Sequence, residues 1–124
     1  MTVQEYFDTL QRDLADRTVI LKQALRWRDS GTGTGFIEGH LDLAQRHQLH
    51  VAEYVLVDPV FSRRKYRFHL QNSSLELVRR WDNAPHHPNL QTFPHHSHMP
   101  DGEVVASPPM DLPRVLDAVA MLLA

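Results

Sequence analysis

Apolar residues near the start of the chain recur at intervals of three and four, which is the pattern of an amphipathic helix. One face of that helix collects Val3, Tyr6, Phe7, Leu10 and Leu14. The preceding letters "TVQE" match a capping box, in which the Thr2 hydroxyl and the Glu5 carboxylate satisfy free backbone amides. The pattern therefore predicts a helix over residues 1–16.

From residue 18 the hydrophobic period changes to two, the period of a half-buried strand. Five such runs, separated by turns, begin near residues 18, 36, 50, 65 and 75. In the first, Leu21 and Leu25 alternate with cations, which predicts that both leucines lie on the apolar face. The run 50–57 is almost continuously apolar, which predicts a central strand covered on both faces. Short turns make successive strands antiparallel.

Two segments break this pattern. The glycine-rich letters "SGTGTG" at 30–35 precede a strand, so they predict a hairpin turn, because a phosphate loop needs a helix directly after it. Residues 82–109 contain six of the eight prolines and show no hydrophobic period, which predicts a long His/Pro-rich loop. Beyond it, Asp111 as N-cap and Pro113 in the first turn predict a second helix over residues 111–123.

These elements predict an α+β fold in a single domain of residues 1–124. An antiparallel five-stranded meander sheet, residues 18–81, is followed by the His/Pro-rich loop, and the N- and C-terminal helices pack on one face because each has a single apolar stripe to bury. The opposite face then presents Lys22, Arg26, Arg28, Glu38, His40, Asp42, Lys65, Arg67 and His69. Such a face is either solvated or directed toward a ligand.

Composition narrows the class of protein. The 124 residues contain no cysteine, which excludes disulfides, thiolate zinc sites and a cysteine nucleophile. No run approaches the roughly 18 apolar residues of a membrane span, and no signal peptide is evident, so we expect a cytoplasmic protein without a membrane partner. The net charge of −2 gives no general indication of nucleic-acid binding, although a local basic face stays open.

Five of the nine histidines lie between residues 86 and 98. These are His86, His87, His95, His96 and His98. In an extended segment His96 and His98 point to one side and His95 to the other. Zinc binding, with help from Asp82 or Asp101, is one hypothesis. Acid–base catalysis without metal is a second, because imidazole titrates near neutral pH and suits RNA cleavage, with Arg67 or Arg79 neutralising phosphate charge. Turn capping and packing are the structural alternative.

The letters "YRFHLQ…LVRRWDNAPHHPNLQTFPHHSHMPDGEVVASP" resemble the signature of the TumE-type toxin family over about residues 66–108. The resemblance implies a toxin encoded beside a cognate antitoxin. It carries onto this chain Arg67 and His69, then Trp81, Asp82, Asn83, His86 and His87, then Phe93, Pro94, His95, His96 and His98. Ser97 stands where the family pattern leads us to expect lysine, which removes one cation beside the imidazoles.

The favoured hypothesis is a toxin that cleaves RNA by metal-independent histidine acid–base catalysis, with no cofactor. The five clustered histidines are its expected catalytic residues. Substrate binding is expected at Arg67, His69, Arg79, Trp81, Asp82 and Asn83. One alternative is a non-catalytic module that binds the antitoxin or another partner through residues such as Phe93 and Met99. A histidine metal site, with zinc as the ion, is the other, and a homodimer stays open.

Overall fold

The computed structural model describes all of residues 1–124 and confirms an α+β fold with an antiparallel sheet. The elements in chain order are α1 (Val3–Ala15), β1 (Ile20–Asp29), β2 (Thr34–Leu43), a short 3-10 turn (Ala44–Arg46), β3 (Gln48–Leu56), β4 (Ser62–Gln71), β5 (Leu77–Asp82), β6 (His96–His98), β7 (Val104–Ala106) and α2 (Leu112–Leu122). Strand order in the sheet equals chain order. The sheet is therefore a meander.

The sheet has seven strands, so the prediction of five was wrong. The two additional strands, β6 and β7, lie inside the segment predicted as a continuous loop. Each has only three residues, and β6 reads His-Ser-His, so neither can display a hydrophobic period. They form because β6 pairs with β5 and β7 pairs with β6, and backbone pairing satisfies amides that water would otherwise solvate.

Both helices bury one apolar face against the same side of the sheet, as predicted. The Thr2 hydroxyl accepts from the Glu5 amide at 3.0 Å, and the Glu5 carboxylate accepts from the Thr2 amide at 3.0 Å, which confirms the capping box. Asp111 caps α2 by accepting from the amide of Arg114 at 2.9 Å. Neither helix has the length and apolarity that crossing a bilayer requires.

The strands confirm most of the predicted inward and outward residues, with two corrections. In β3 the buried residues Leu49, Val51 and Val55 alternate with half-buried ones, so this strand is covered by helices on one face only. In β1 a register shift between Ile20 and Lys22 turns Leu21 outward, and 70% of its surface is exposed. A single irregularity in the ladder exchanges the faces of the residues around it.

One buried polar group lies in the apolar layer between sheet and helices. Glu53 of β3 has a fully buried side chain, accepts from the Tyr6 hydroxyl of α1 and accepts from Arg63 Nε of β4 at 3.0 Å. Burial and the neighbouring carboxylate raise the pKa of Tyr6 above its ordinary value. The three side chains tie α1 to the centre of the sheet.

We expect Arg63→Met to lower the free energy of unfolding by about 3 kcal/mol, because it leaves the Glu53 carboxylate buried without its counter-charge. Urea denaturation followed by circular dichroism measures the change. Arg64→Met is the matched control, since Arg64 is the next residue of β4 and its side chain is exposed. Equal stability of the two variants would contradict the role assigned to the buried ion pair.

Candidate functional site

The face of the sheet opposite the helices forms an open cavity of about 690 Å³. Alternate residues of a strand face the same side, so the pairing register decides which side chains line it. Two neighbouring rows of paired positions cross the sheet. The arginine row contains, from β1 to β6, Arg26, Glu38, Ala52, Arg67, Asp82 and His96. The histidine row contains Ala24, His40, His50, His69, Arg80 and His98.

The cavity is positively charged although the whole chain is not. Its lining includes the cations Arg26, Arg28, Lys65, Arg67 and Arg80. Arg26 pairs with Glu38 at 2.7 Å, and Arg80 donates from Nε to His69 Nδ1 at 3.1 Å. No carboxylate lies within ion-pairing distance of Arg28, Lys65 or Arg67. These three cations are therefore available to an anionic ligand.

Two aromatic rings lie beside the cations in the same cavity. Phe36 and Tyr54 stack with ring centroids 4.8 Å apart and planes inclined by 21°. The guanidinium carbon of Arg28 lies 4.7 Å from the Phe36 centroid. Stacked rings next to free cations offer contacts to planar bases and to phosphates together.

Three histidines and one aspartate converge at the end of the cavity near β6, and we call them the imidazole cluster: His87, His96, His98 and Asp82. His96 Nε2 lies 2.9 Å from Asp82 Oδ1, and His98 Nε2 lies 3.2 Å from Asp82 Oδ2. The two imidazole Nε2 atoms are 3.1 Å apart. The His87 ring centroid lies 4.8 Å from that of His96 and 5.9 Å from that of His98.

The cluster is partly sealed from water. His96 is 1% exposed and Asp82 6% exposed, whereas His87 and His98 are half-buried and line the cavity. Burial lowers the pKa of His98, and the adjacent Asp82 carboxylate opposes that shift. The buried Asp82 and His96 thus hold the cluster in place, and the half-buried His87 and His98 face the cavity.

The cavity lining includes five of the eleven site residues expected from the sequence. Arg67, Asp82, His86, His87 and His98 line it, with His96 behind them and His69 one row away. His86 is exposed at the rim. The prediction that His96 and His98 share a side is confirmed, because both belong to the imidazole cluster.

Four expected residues lie elsewhere. Arg79 and Trp81 are on the helix-covered side of β5, where the Arg79 guanidinium lies 6.0 Å from the Trp81 ring. His95 points to that side too, stacking on Tyr66 and sharing a 2.8 Å hydrogen bond with its hydroxyl. Asn83 accepts from the Tyr66 amide at 2.9 Å, which is a structural contact.

Sequence reasoning did not single out Arg80, Phe36 or Tyr54 as parts of the site. Arg79 and Arg80 are adjacent, and only the pairing register with β4 shows that Arg80 faces the cavity beside His69. Phe36 and Tyr54 face the cavity because they share the strand face of Glu38 and Ala52, which the pairing register shows. Successive side chains of a strand face opposite sides of the sheet. Because Trp81 is buried on the helix side opposite Phe68, its neighbour Arg80 must face the cavity.

The histidine row continues away from the cluster. Ring centroids of His40 and His50 are 5.7 Å apart, and those of His50 and His69 are 6.3 Å apart. Burial lowers the pKa of His50 and of His69, and nearby positive charge on Arg67 adds to both shifts. The folded chain therefore favours the neutral form of both rings.

This row predicts a dependence of stability on pH. In the folded chain the pKa values of both rings lie below the ordinary value of 6.5. As the pH falls below 6.5, the unfolded chain binds more protons than the folded chain, so the free energy of unfolding decreases. We expect a lower urea midpoint at about pH 5.5 than at about pH 7.5, with a smaller difference in the His50→Asn/His69→Asn double variant. An unchanged difference in the double variant would contradict the assignment to these rings.

Comparison with known proteins identifies the family of the chain. The sequence model of the family described as Toxin TumE matches residues 10–123, which covers all seven strands and the whole imidazole cluster. No curated protein and no solved structure matches the chain. The chain therefore belongs to the Toxin TumE family.

Proposed function

We propose that this chain is the toxin of a toxin–antitoxin pair, that it acts in the cytoplasm, and that it binds and cleaves RNA in the cavity. The observation that carries the proposal is the junction of free cations, stacked aromatic rings and the imidazole cluster on one open sheet face. In a bound nucleotide the cations would contact the phosphate, the aromatic rings would stack on the base, and the imidazole cluster would face the reacting hydroxyl. Family membership supports a toxic activity in general.

The cations and rings account for binding. Lys65, Arg67 and Arg28 carry no competing carboxylate, so each can neutralise a phosphate of a single strand. An unpaired base can stack against Phe36 and Tyr54, and such stacking tolerates any base. The cavity is open along the sheet, which suits a chain that passes through it.

The imidazole cluster accounts for cleavage. In RNA the 2′-hydroxyl oxygen attacks the adjacent phosphorus, loses its proton to a base, and expels the 5′-oxygen, which receives a proton from an acid. The products are a 2′,3′-cyclic phosphate and a 5′-hydroxyl. Arg67 and Arg80, which neighbour the cluster in the two rows, stabilise the additional negative charge of the transition state. DNA lacks the attacking hydroxyl and is left intact.

We expect His98→Ala to reduce RNA cleavage by about 100-fold or more, because it removes a group that acts in proton transfer. Labelled RNA and a DNA strand of the same sequence are incubated with purified protein, and cleavage products are resolved on a gel. His47→Ala is the matched control, since its ring contacts the backbone of Gln45 outside the cavity. Growth arrest on induced expression gives the parallel measurement in cells.

Full toxicity of the His98 variant with intact RNA would contradict cleavage. A loss of toxicity in Phe93→Ala instead would favour the non-catalytic alternative, because Phe93 is 44% exposed and lies outside the cavity lining. The two variants thus separate an enzyme from an interaction module. Circular dichroism of each variant checks that it folds.

A second expectation concerns affinity for RNA. The Lys65→Ala/Arg67→Ala double variant should bind a single-stranded oligonucleotide more weakly, and its plot of log affinity against log salt should be shallower by about 1.4, since two phosphate contacts are lost. Fluorescence anisotropy at several salt concentrations measures both quantities. Arg64→Ala, which removes a cation of the same strand outside the cavity, should leave the slope unchanged.

A further inference from the structure

We propose that the imidazole cluster binds one divalent transition-metal ion through His87, His96, His98 and Asp82. The proposal goes beyond the function inferred above and does not require the substrate to be RNA. It replaces the expectation, drawn from the sequence, of an enzyme without a cofactor. With the ion bound, the three imidazoles are its ligands and do not transfer protons, so direct acid–base catalysis by the cluster applies only to a chain that binds no ion. Interatomic distances, the protons that the contacts allow and the groups that hold the ligands all support this site.

The distances match those around a tetrahedral ion. The ligand nitrogens of the three histidines all lie within 4.8 Å of one another. The closest separations, 2.9 and 3.2 Å to the Asp82 oxygens and 3.1 Å between the two Nε2 atoms, are close to the tetrahedral edge of about 3.3 Å expected for ligand bonds of about 2.0 Å. The ligand atoms of His96, His98 and Asp82 are therefore spaced as around one ion, and a His87 nitrogen lies within 4.8 Å of the other two imidazole nitrogens.

The protons that these side chains can carry fit a bound metal ion better than hydrogen bonds among the side chains themselves. His96 Nδ1 lies 2.9 Å from the carbonyl oxygen of Pro94, which can only accept, so Nδ1 carries a proton and Nε2 of the neutral ring has a lone pair. That lone pair faces the Asp82 carboxylate. A proton on His96 Nε2 could be donated to Asp82 Oδ1 and would remove this repulsion. His98 Nε2 also needs a proton in order to donate to Asp82 Oδ2. The two protons would then face each other across the 3.1 Å between the Nε2 atoms. One cation at the centre satisfies all the contacts together.

The groups behind the ligands resemble those that support metal sites. The Pro94 carbonyl fixes the orientation and tautomer of His96, as backbone carbonyls do for metal-binding histidines. Asp82 Oδ1 also accepts from the amide of Ala84 at 3.0 Å. The pairing of Asp82 with His96 across β5 and β6 fixes both ligands on rigid backbone. Asp82, His96 and His98 therefore lie on paired strands, and His87 comes from the segment between β5 and β6.

The donor set indicates the class of ion. Three imidazoles and one carboxylate suit Zn²⁺, Co²⁺, Mn²⁺ or Fe²⁺, whereas Mg²⁺ and Ca²⁺ prefer oxygen ligands. His87 and His98 lie on the cavity side, so a ligand held by Arg67 would be next to the ion. If the substrate is RNA, as proposed above, the ion would polarise a phosphoryl oxygen there.

Metal binding to the full chain tests the proposal. Protein stripped with chelator is titrated with Zn²⁺ by calorimetry, bound metal is counted by elemental analysis, and Co²⁺ absorption reports the coordination geometry. We expect one ion per chain, tetrahedral Co²⁺ absorption and a higher thermal midpoint. We expect His98→Gln and Asp82→Asn each to weaken binding by about tenfold or more.

Two further variants keep the test decisive. His87→Gln changes a half-buried residue of the segment between β5 and β6, so the variant should fold and still bind Zn²⁺ more weakly. His95→Gln is the matched control, because His95 adjoins His96 in sequence yet lies on the other side of the sheet with Tyr66. No binding by the unaltered chain, or equal affinity in the His87 and His95 variants, would overturn the proposal.

The metal and the RNA proposals fail separately. Zn²⁺ bound at the cluster without RNA cleavage would leave the metal site standing and reject the nuclease. RNA cleavage that continues in a chain shown to bind no Zn²⁺, Co²⁺, Mn²⁺ or Fe²⁺ would reject the metal site and leave direct acid–base catalysis by the imidazoles.

Discussion

The backbone pairing of β5 with β6 is the constraint on which the site depends. Trp81 opposite Ser97 turns toward the helices, so the flanking residues of both strands must face the cavity. Burial of the Trp81 ring in the core thereby fixes where Asp82 points, and Asp82 then meets His96 and His98. A shift of one residue would send the carboxylate to the core and separate it from both imidazoles. The apolar packing beneath the sheet thus determines the chemistry above it.

The charge of the chain is divided between surfaces. Overall the protein is slightly acidic, with a net charge of −2, yet the open sheet face concentrates unpaired cations around the cavity. Some carboxylates form ion pairs away from these cations, as Glu53 does with Arg63 and Asp13 of α1 does with Arg17. A ligand responds to the local potential rather than to the total. The net charge therefore gives no indication of the cationic site, whereas the strand register places its cations on one face.

The sequence predicted those features that a repeating pattern encodes. Both helices, the five longer strands and the separation of polar from apolar faces follow from periods of three to four and of two, because burial of one face imposes them. The short strands β6 and β7 have too few residues for a period, and only their partners stabilise them. The choice between Arg79 and Arg80 depended on register, which irregularities such as the one near Lys22 make uncertain from sequence. Convergence of Asp82 on His96 needed three-dimensional pairing between segments fourteen residues apart in sequence.

Because β6 follows the five longer strands along the chain, the cluster is completed only after those strands during translation. The first five strands and α1 are all synthesised before His96 and His98, and β6 is flanked in the sheet by β7, which is made later still. A nascent chain synthesised only as far as β5 therefore carries five strands but not the cluster. Products that terminate before His98 would lack the complete set of converging imidazoles.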